Sequence, residues 1–84
     1  MVKVKLFGTL SLDTGVKEFD VDASNVKQIY APLFEEIKRV NPNPPVSLKD
    51  LKDCIVAVNG VKTNRHADLH DGDVVYIMTA VAGG

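Results

Sequence analysis

The sequence holds a single cysteine, Cys54. One thiol cannot close an internal disulfide, which excludes a stapled, secreted framework. No apolar run approaches the ~20 residues that a membrane-crossing helix needs. The opening, Met1-Val2-Lys3-Val4-Lys5, alternates charge with apolar residues, unlike a signal peptide. The expected location is cytoplasmic, away from membranes. Basic excess is missing as well. Ten Lys and Arg stand against eleven Asp and Glu, a formal net charge of −1, so nucleic acid is not an expected ligand. No Ser/His/Asp or Cys/His pattern accompanies Cys54, and cysteine is among the most buried residue types. Packing is therefore its expected role, and an autonomous enzyme is the least expected reading. His66 and His70 stand four apart in a loop-like stretch, and two ligands do not close a zinc site. Solvated histidines and no metal are expected there. Lys49, Lys52 and Asp53 read as a solvated face.

What is present suffices for one small domain. A chain of 84 residues buries about 60–65% of its unfolded surface. With 45% hydrophobic and 25% charged residues, nothing in the composition points to disorder. Val2, Val4 and Leu6 alternate with Lys3, Lys5 and Phe7, the period-two signature of a half-buried strand. Ser11 to Gly15 carries turn chemistry. Val16 to Val21 reads as a second strand with Lys17, Phe19 and Val21 on one face, and the short connection favours an antiparallel hairpin. Ser24-Asn25 resembles a helix cap. Val26, Ile29, Leu33, Ile37 and Val40 follow at spacings of three and four, broadened by Tyr30 and Phe34, as in an amphipathic helix. Pro32 lacks the N–H that would bond to Gln28 and crowds that carbonyl, so a kink, or a helix that begins at Pro32, is expected. Asn41-Pro42-Asn43-Pro44-Pro45 ends the element as extended loop.

Ser47-Leu48-Lys49-Asp50 looks like a capped helical turn. Cys54 to Val58 reads as the third strand, Asn59-Gly60 as a tight turn and Val61-Lys62 as a brief strand. Thr63 to His70 is irregular, Asp71-Gly72-Asp73 is a further turn, and Val74 to Met78 is a last strand of β-formers. The order suggests an α+β domain: a mixed sheet, one main helix on one face, and the first and last strands together at the centre. This is the arrangement of the β-grasp, or ubiquitin-like, fold. The domain is expected to span 1–79, with a flexible tail over 80–84 that projects from the sheet's rim.

That tail closes on Val81-Ala82-Gly83-Gly84. Glycine lets another chain pack close to its backbone, as a narrow active-site tunnel requires. A terminal carboxylate can also be converted by ATP to an acyl-adenylate. Gly84 is thus the expected reactive residue and Gly83 serves passage, while Val81 and Ala82 are candidate partner contacts. Phe7 shares a strand face with Lys3 and Lys5 and is exposed if the helix does not cover that face, while Tyr76 and Met78 share one face of the last strand. If the first and last strands are neighbours, the three form one apolar patch of the kind favoured at partner surfaces.

Residues along the whole chain resemble the small subunit of molybdopterin synthase (MoaD). The likeness lies in Val2-Lys3-Val4-Lys5-Leu6-Phe7-Gly8-Thr9-Leu10, in Ala57-Val58-Asn59-Gly60, in Leu69 with Asp71-Gly72-Asp73-Val74-Val75, and in Val81-Ala82-Gly83-Gly84. The thiazole-pathway sulfur carrier (ThiS) shares the Asp-Gly-Asp turn and the Ala-Gly-Gly ending. Thr79 and Ala80 stand where many small subunits carry prolines, and Asn41 to Asp53 matches no pattern of the family. The resemblance implies a non-catalytic sulfur carrier without a permanently bound cofactor. A MoeB/ThiF-like adenylating enzyme would use ATP to activate Gly84, and sulfur from a persulfide would convert it to a thiocarboxylate. The tail would then enter a MoaE-like large subunit, in an expected heterotetramer, and supply sulfur for the dithiolene of molybdopterin. The alternatives are a carrier for thiazole, another sulfur-containing metabolite or tRNA thiolation, a protein-conjugating ubiquitin-like modifier, and a β-grasp binding module with an idle tail.

Overall fold

A computed structural model of the chain describes residues 1–79. Five strands form one mixed sheet: β1 (Val2–Phe7), β2 (Glu18–Val21), β3 (Ile55–Val58), β4 (Val61–Thr63) and β5 (Val74–Met78). Their order across the sheet is β2-β1-β5-β3-β4. β1 and β5 are parallel neighbours, and every other pairing is antiparallel. The expected α+β β-grasp and its central pair of first and last strands are both present.

Period-two alternation decides the layers. Val2, Val4 and Leu6 of β1 and Val75 and Ile77 of β5 point to the core. Against them pack Val26, Ile29, Tyr30, Leu33 and Ile37 from the helical segment, Leu51 from α3 (Leu48–Lys52), and Leu10. The helical segment has two parts, a 3₁₀ turn at Val26–Ile29 and then α2 (Tyr30–Val40). Pro32 therefore sits in the first turn of α2, where its missing N–H leaves no bond unmade. The predicted start at Pro32 falls two residues late. Asn25, with Ser24 before it, caps the 3₁₀ turn, its Oδ1 accepting from the Gln28 N–H at 3.2 Å. Val40 departs from the predicted buried stripe and is exposed, although Ile37 three residues earlier is fully buried.

Two local readings need correction. Ser11 to Gly15 is not a simple turn but most of α1 (Thr9–Thr14). Gly8 starts it at φ 64° and ψ −142°, and Gly15 ends it in the left-handed region, both conformations that suit glycine. Thr14 is fully buried. Its Oγ1 donates to the Leu10 carbonyl at 2.8 Å and accepts from the Val16 N–H at 3.2 Å, so the helix closes on itself before β2. Six residues are too few to display helical periodicity, and their polarity mimics a turn. The second correction concerns strand bounds. Regular pairing in β2 starts at Glu18, and β3 starts at Ile55 instead of Cys54.

α3 carries the predicted cap. Ser47 Oγ accepts from the Asp50 N–H at 3.2 Å, and Asp50 returns the bond to the Ser47 N–H at 2.8 Å. This capping box restarts a helix directly after the proline-rich loop.

Candidate functional site

The candidate end of the sheet is set from the opposite end. Asn59 and Gly60 have φ of 52° and 86°, the left-handed pair of a tight hairpin turn. The Asn59 side chain also reaches out of its hairpin. Its Nδ2 donates to Asp73 Oδ1 at 3.0 Å, and its Oδ1 accepts from the Val74 N–H at 3.0 Å. The Asn59 N–H donates to the Val74 carbonyl at 2.8 Å, and the Lys3 N–H to the Asp73 carbonyl at 3.0 Å. The Asn-Gly turn, the Asp-Gly-Asp turn and the start of β1 thus form one lock on the first residue of β5. Asp73 is held below the ordinary aspartate range, first by the Asn59 side-chain hydrogen bond and then by the His70 N–H.

With its start locked, β5 has a fixed register. Met78 lies between Phe7 of β1 and Ile55 of β3, and Tyr76 lies between Lys5 and Ala57. These residues occupy the face that α2 does not cover. Phe7 is 43% exposed. The Phe7 and Tyr76 rings stack at 5.3 Å between centroids, 19° from parallel. Phe7, Tyr76 and Met78 are therefore brought together as expected. Ile55 joins them, and it was hidden in the sequence because Cys54 to Val58 is apolar without a break and shows no alternation. Toward the other edge, Lys3 and Lys5 stand 3.5 and 3.7 Å from the Glu18 carboxylate. These ion pairs bound the apolar row on that side.

A groove of about 470 Å³ runs along the row, lined by Phe7, Gly8, Thr9, Ile55, Met78 and Thr79. Thr79, the last described residue, stands in it, with its Oγ1 3.4 Å from Thr9 Oγ1. Gly8 leaves one wall without a side chain. Val81, Ala82, Gly83 and Gly84 lie outside the described residues, as does the expected 80–84 tail. Cys54 is half-buried, its Sγ 3.2 Å from the Asp50 carbonyl. Burial pushes its thiol up, helped by Asp50 and Asp53, which favours the protonated form. Both His66 and His70 are exposed. His70 faces Asp73 at 3.7 Å. No group of three or more metal-ligating side chains occurs among the described residues, and no helix among them is long and apolar enough to cross a membrane.

The family model described as the ThiS family matches residues 4–84. The chain belongs to the ThiS family. It is a ubiquitin-like sulfur carrier of the ThiS/MoaD type. Small carrier subunits of this type are generally non-catalytic. No curated protein matches this ThiS-family chain. Among solved structures, it is similar to a chain of the complex of subunits 1 and 2 of molybdopterin-converting factor from Helicobacter pylori 26695. That match has 28% identity and a TM-score of 0.63 over 99% of this chain and 97% of that one. A chain of the Amycolatopsis orientalis BexX/CysO complex matches at 26% identity and TM-score 0.69, over 100% of each. The small archaeal modifier protein 1 from Methanosarcina acetivorans shares the fold at 22% identity and TM-score 0.73, over 99% of this chain and 95% of that one.

Proposed function

We propose that this carrier supplies the dithiolene sulfur of molybdopterin, with the Gly84 carboxylate as its working group. The observation that carries the reading is the position of Thr79 in the groove, beside the Phe7–Met78–Ile55 row and five residues before Gly84. A protein seated on that row would receive whatever follows Thr79 in its own active site. The sulfur-carrier candidates differ in acceptor. The likeness of Val2 to Leu10 to the molybdopterin synthase small subunit, and 28% identity to the Helicobacter pylori chain, support the pterin.

The chemistry runs through the partners. An adenylating enzyme of the MoeB/ThiF kind joins the Gly84 carboxylate to AMP from ATP and releases pyrophosphate. A persulfide sulfur then attacks the acyl carbon, the bond to AMP breaks, and a thiol reduces the resulting S–S bond to leave a thiocarboxylate. A MoaE-like large subunit accepts the tail, and two carriers deliver the two sulfurs of one pterin. This chain contributes delivery: an apolar surface that docks, and a tip without side chains that threads.

The intact mass after incubation with ATP, a sulfur donor and host extract tests the reading. A change of one oxygen for one sulfur is expected, and deletion of Gly84 removes it while the melting temperature stays unchanged. Charged carrier, large subunit and pterin precursor together should then yield molybdopterin. Gly84 joined to a lysine instead makes the chain a conjugating modifier, and thiocarboxylate without molybdopterin redirects it to another acceptor.

A further inference from the structure

Five of the ten Lys and Arg side chains, Lys3, Lys5, Lys38, Arg39 and Lys49, pair with carboxylates. Of the other five, Lys27, Lys52, Lys62 and Arg65 form no ion pair with a described residue, yet all four line a cleft made of two adjoining pockets that share Tyr30, Lys52, Arg65 and His66. Lys17 is the fifth and lies elsewhere, beside β1. Tyr30 of α2, Lys52 at the end of α3, Lys27 of the 3₁₀ turn, and Arg65 with His66 of the β4–β5 loop surround a space of about 420 Å³. No Asp or Glu lines it. Burial, the largest cause, pushes the Tyr30 hydroxyl up against the opposing Arg65 charge, so it stays a donor.

Backbone bonds hold these cations together. The Val26 N–H donates to the Ala67 carbonyl at 3.0 Å, and the Leu69 N–H to the Ser24 carbonyl at 2.9 Å. The turn that bears Lys27 is thereby tied to the loop that bears Arg65. Inside that loop, Asn64 Oδ1 accepts from the His66 N–H at 2.8 Å. Like charges gathered without a counter-charge repel one another, and an anion from outside relieves that repulsion. The cleft also adjoins the apolar groove, since Ile55 lines both.

We propose that the cleft receives an acidic segment, rich in Asp and Glu, of the protein that covers the Phe7–Met78–Ile55 row. This rests on the reading of that row as a partner surface. A net charge of −1 disfavours general polyanion binding and favours a local match of charge, which steers encounter and fixes orientation. Lys62 and Arg65 lie three residues apart, but the sequence places Lys27 and Lys52 far from them, and only the packing of the 3₁₀ turn, α3 and the β4 region assembles all four.

The test is an NMR titration of the ¹⁵N-labelled full chain with hexaglutamate peptide. Shifts are expected at Lys27, Tyr30, Lys52, Arg65 and His66, and they should weaken as salt is added. Lys52→Glu and Arg65→Glu should each lower affinity about fivefold, and together about twentyfold, with Lys17→Glu nearly neutral. All of these positions are exposed, and Lys27→Glu serves where either variant misfolds. Phe7→Asp should leave peptide binding intact, so that failure of the row and failure of the cleft are separable. Absence of shifts, shifts centred on Lys3, Lys5 or Lys17, or equal binding of inorganic phosphate or oligouridylate at matched charge would each overturn the proposal.

Discussion

On the face of the sheet that α2 covers, Val4, Val75 and Ile77 are 0% exposed. On the opposite face, one residue away along the same strands, Phe7 is 43% exposed and Tyr76 and Met78 are half-buried. The backbone, register and neighbours are shared, so the contrast comes from what lies above each face. The covered side converts apolar side chains into stability. On the open side, apolar side chains remain in contact with water, which leaves their burial free energy available to a partner.

The sharpest break in that contrast comes from Leu33, which α2 drives into the covered face with 0% exposure. Leu33→Ala should cost about 2–5 kcal/mol, read as a lowered midpoint in urea at unchanged slope. A domain of this size has little stability to lose, so partial unfolding at growth temperature is also expected. Phe7→Asp tests the open face. Its stability should change by only about 1 kcal/mol, chiefly through the lost ring stacking, while affinity for the partner, measured by calorimetry, should fall at least about tenfold. Equal losses from both substitutions would show that the two faces serve the same purpose.

The smallest effect concerns the lock that aligns them. The folded Asp73 carboxyl is held below its ordinary value by Asn59 and His70. Its contribution is present above the unfolded value, about pH 3.9, and is lost as pH falls through the lower folded value. Asp73→Asn should flatten the acid limb of a stability profile below that pH and slightly lower stability at neutral pH, where the carboxylate's contribution is present. An unaltered acid limb would mean that the carboxylate does not help to hold β5.

Legibility followed the length and regularity of each element. β1, α2, the Asn-Gly turn and β5 were readable because period two, a three-and-four stripe and left-handed turn residues are local signals. Phe7, Tyr76 and Met78 could be grouped because one assumption, that β1 and β5 are neighbours, was enough to align them. α1 was unreadable: Thr9 to Thr14 is too short for periodicity, and Thr14 is buried through bonds that no pattern announces. Val40 fits the helical stripe and is nonetheless exposed, because a stripe describes the helix and not the extent of the surface beneath it.

The sequence by itself determined which side chains are apolar, the tight turns at Asn59-Gly60 and Asp71-Gly72-Asp73, and the Gly83-Gly84 pair that ends the matched region. Each depends on neighbours a few residues away. Tertiary structure alone decided that Asn59 reaches Asp73, that Ile55 completes the apolar row, and that Lys27, Lys52, Lys62 and Arg65 share one cleft. Apart from the neighbours Lys62 and Arg65, those groups are distant along the chain. Their meeting depends on the register and packing of several elements at once, which local periodicity does not encode.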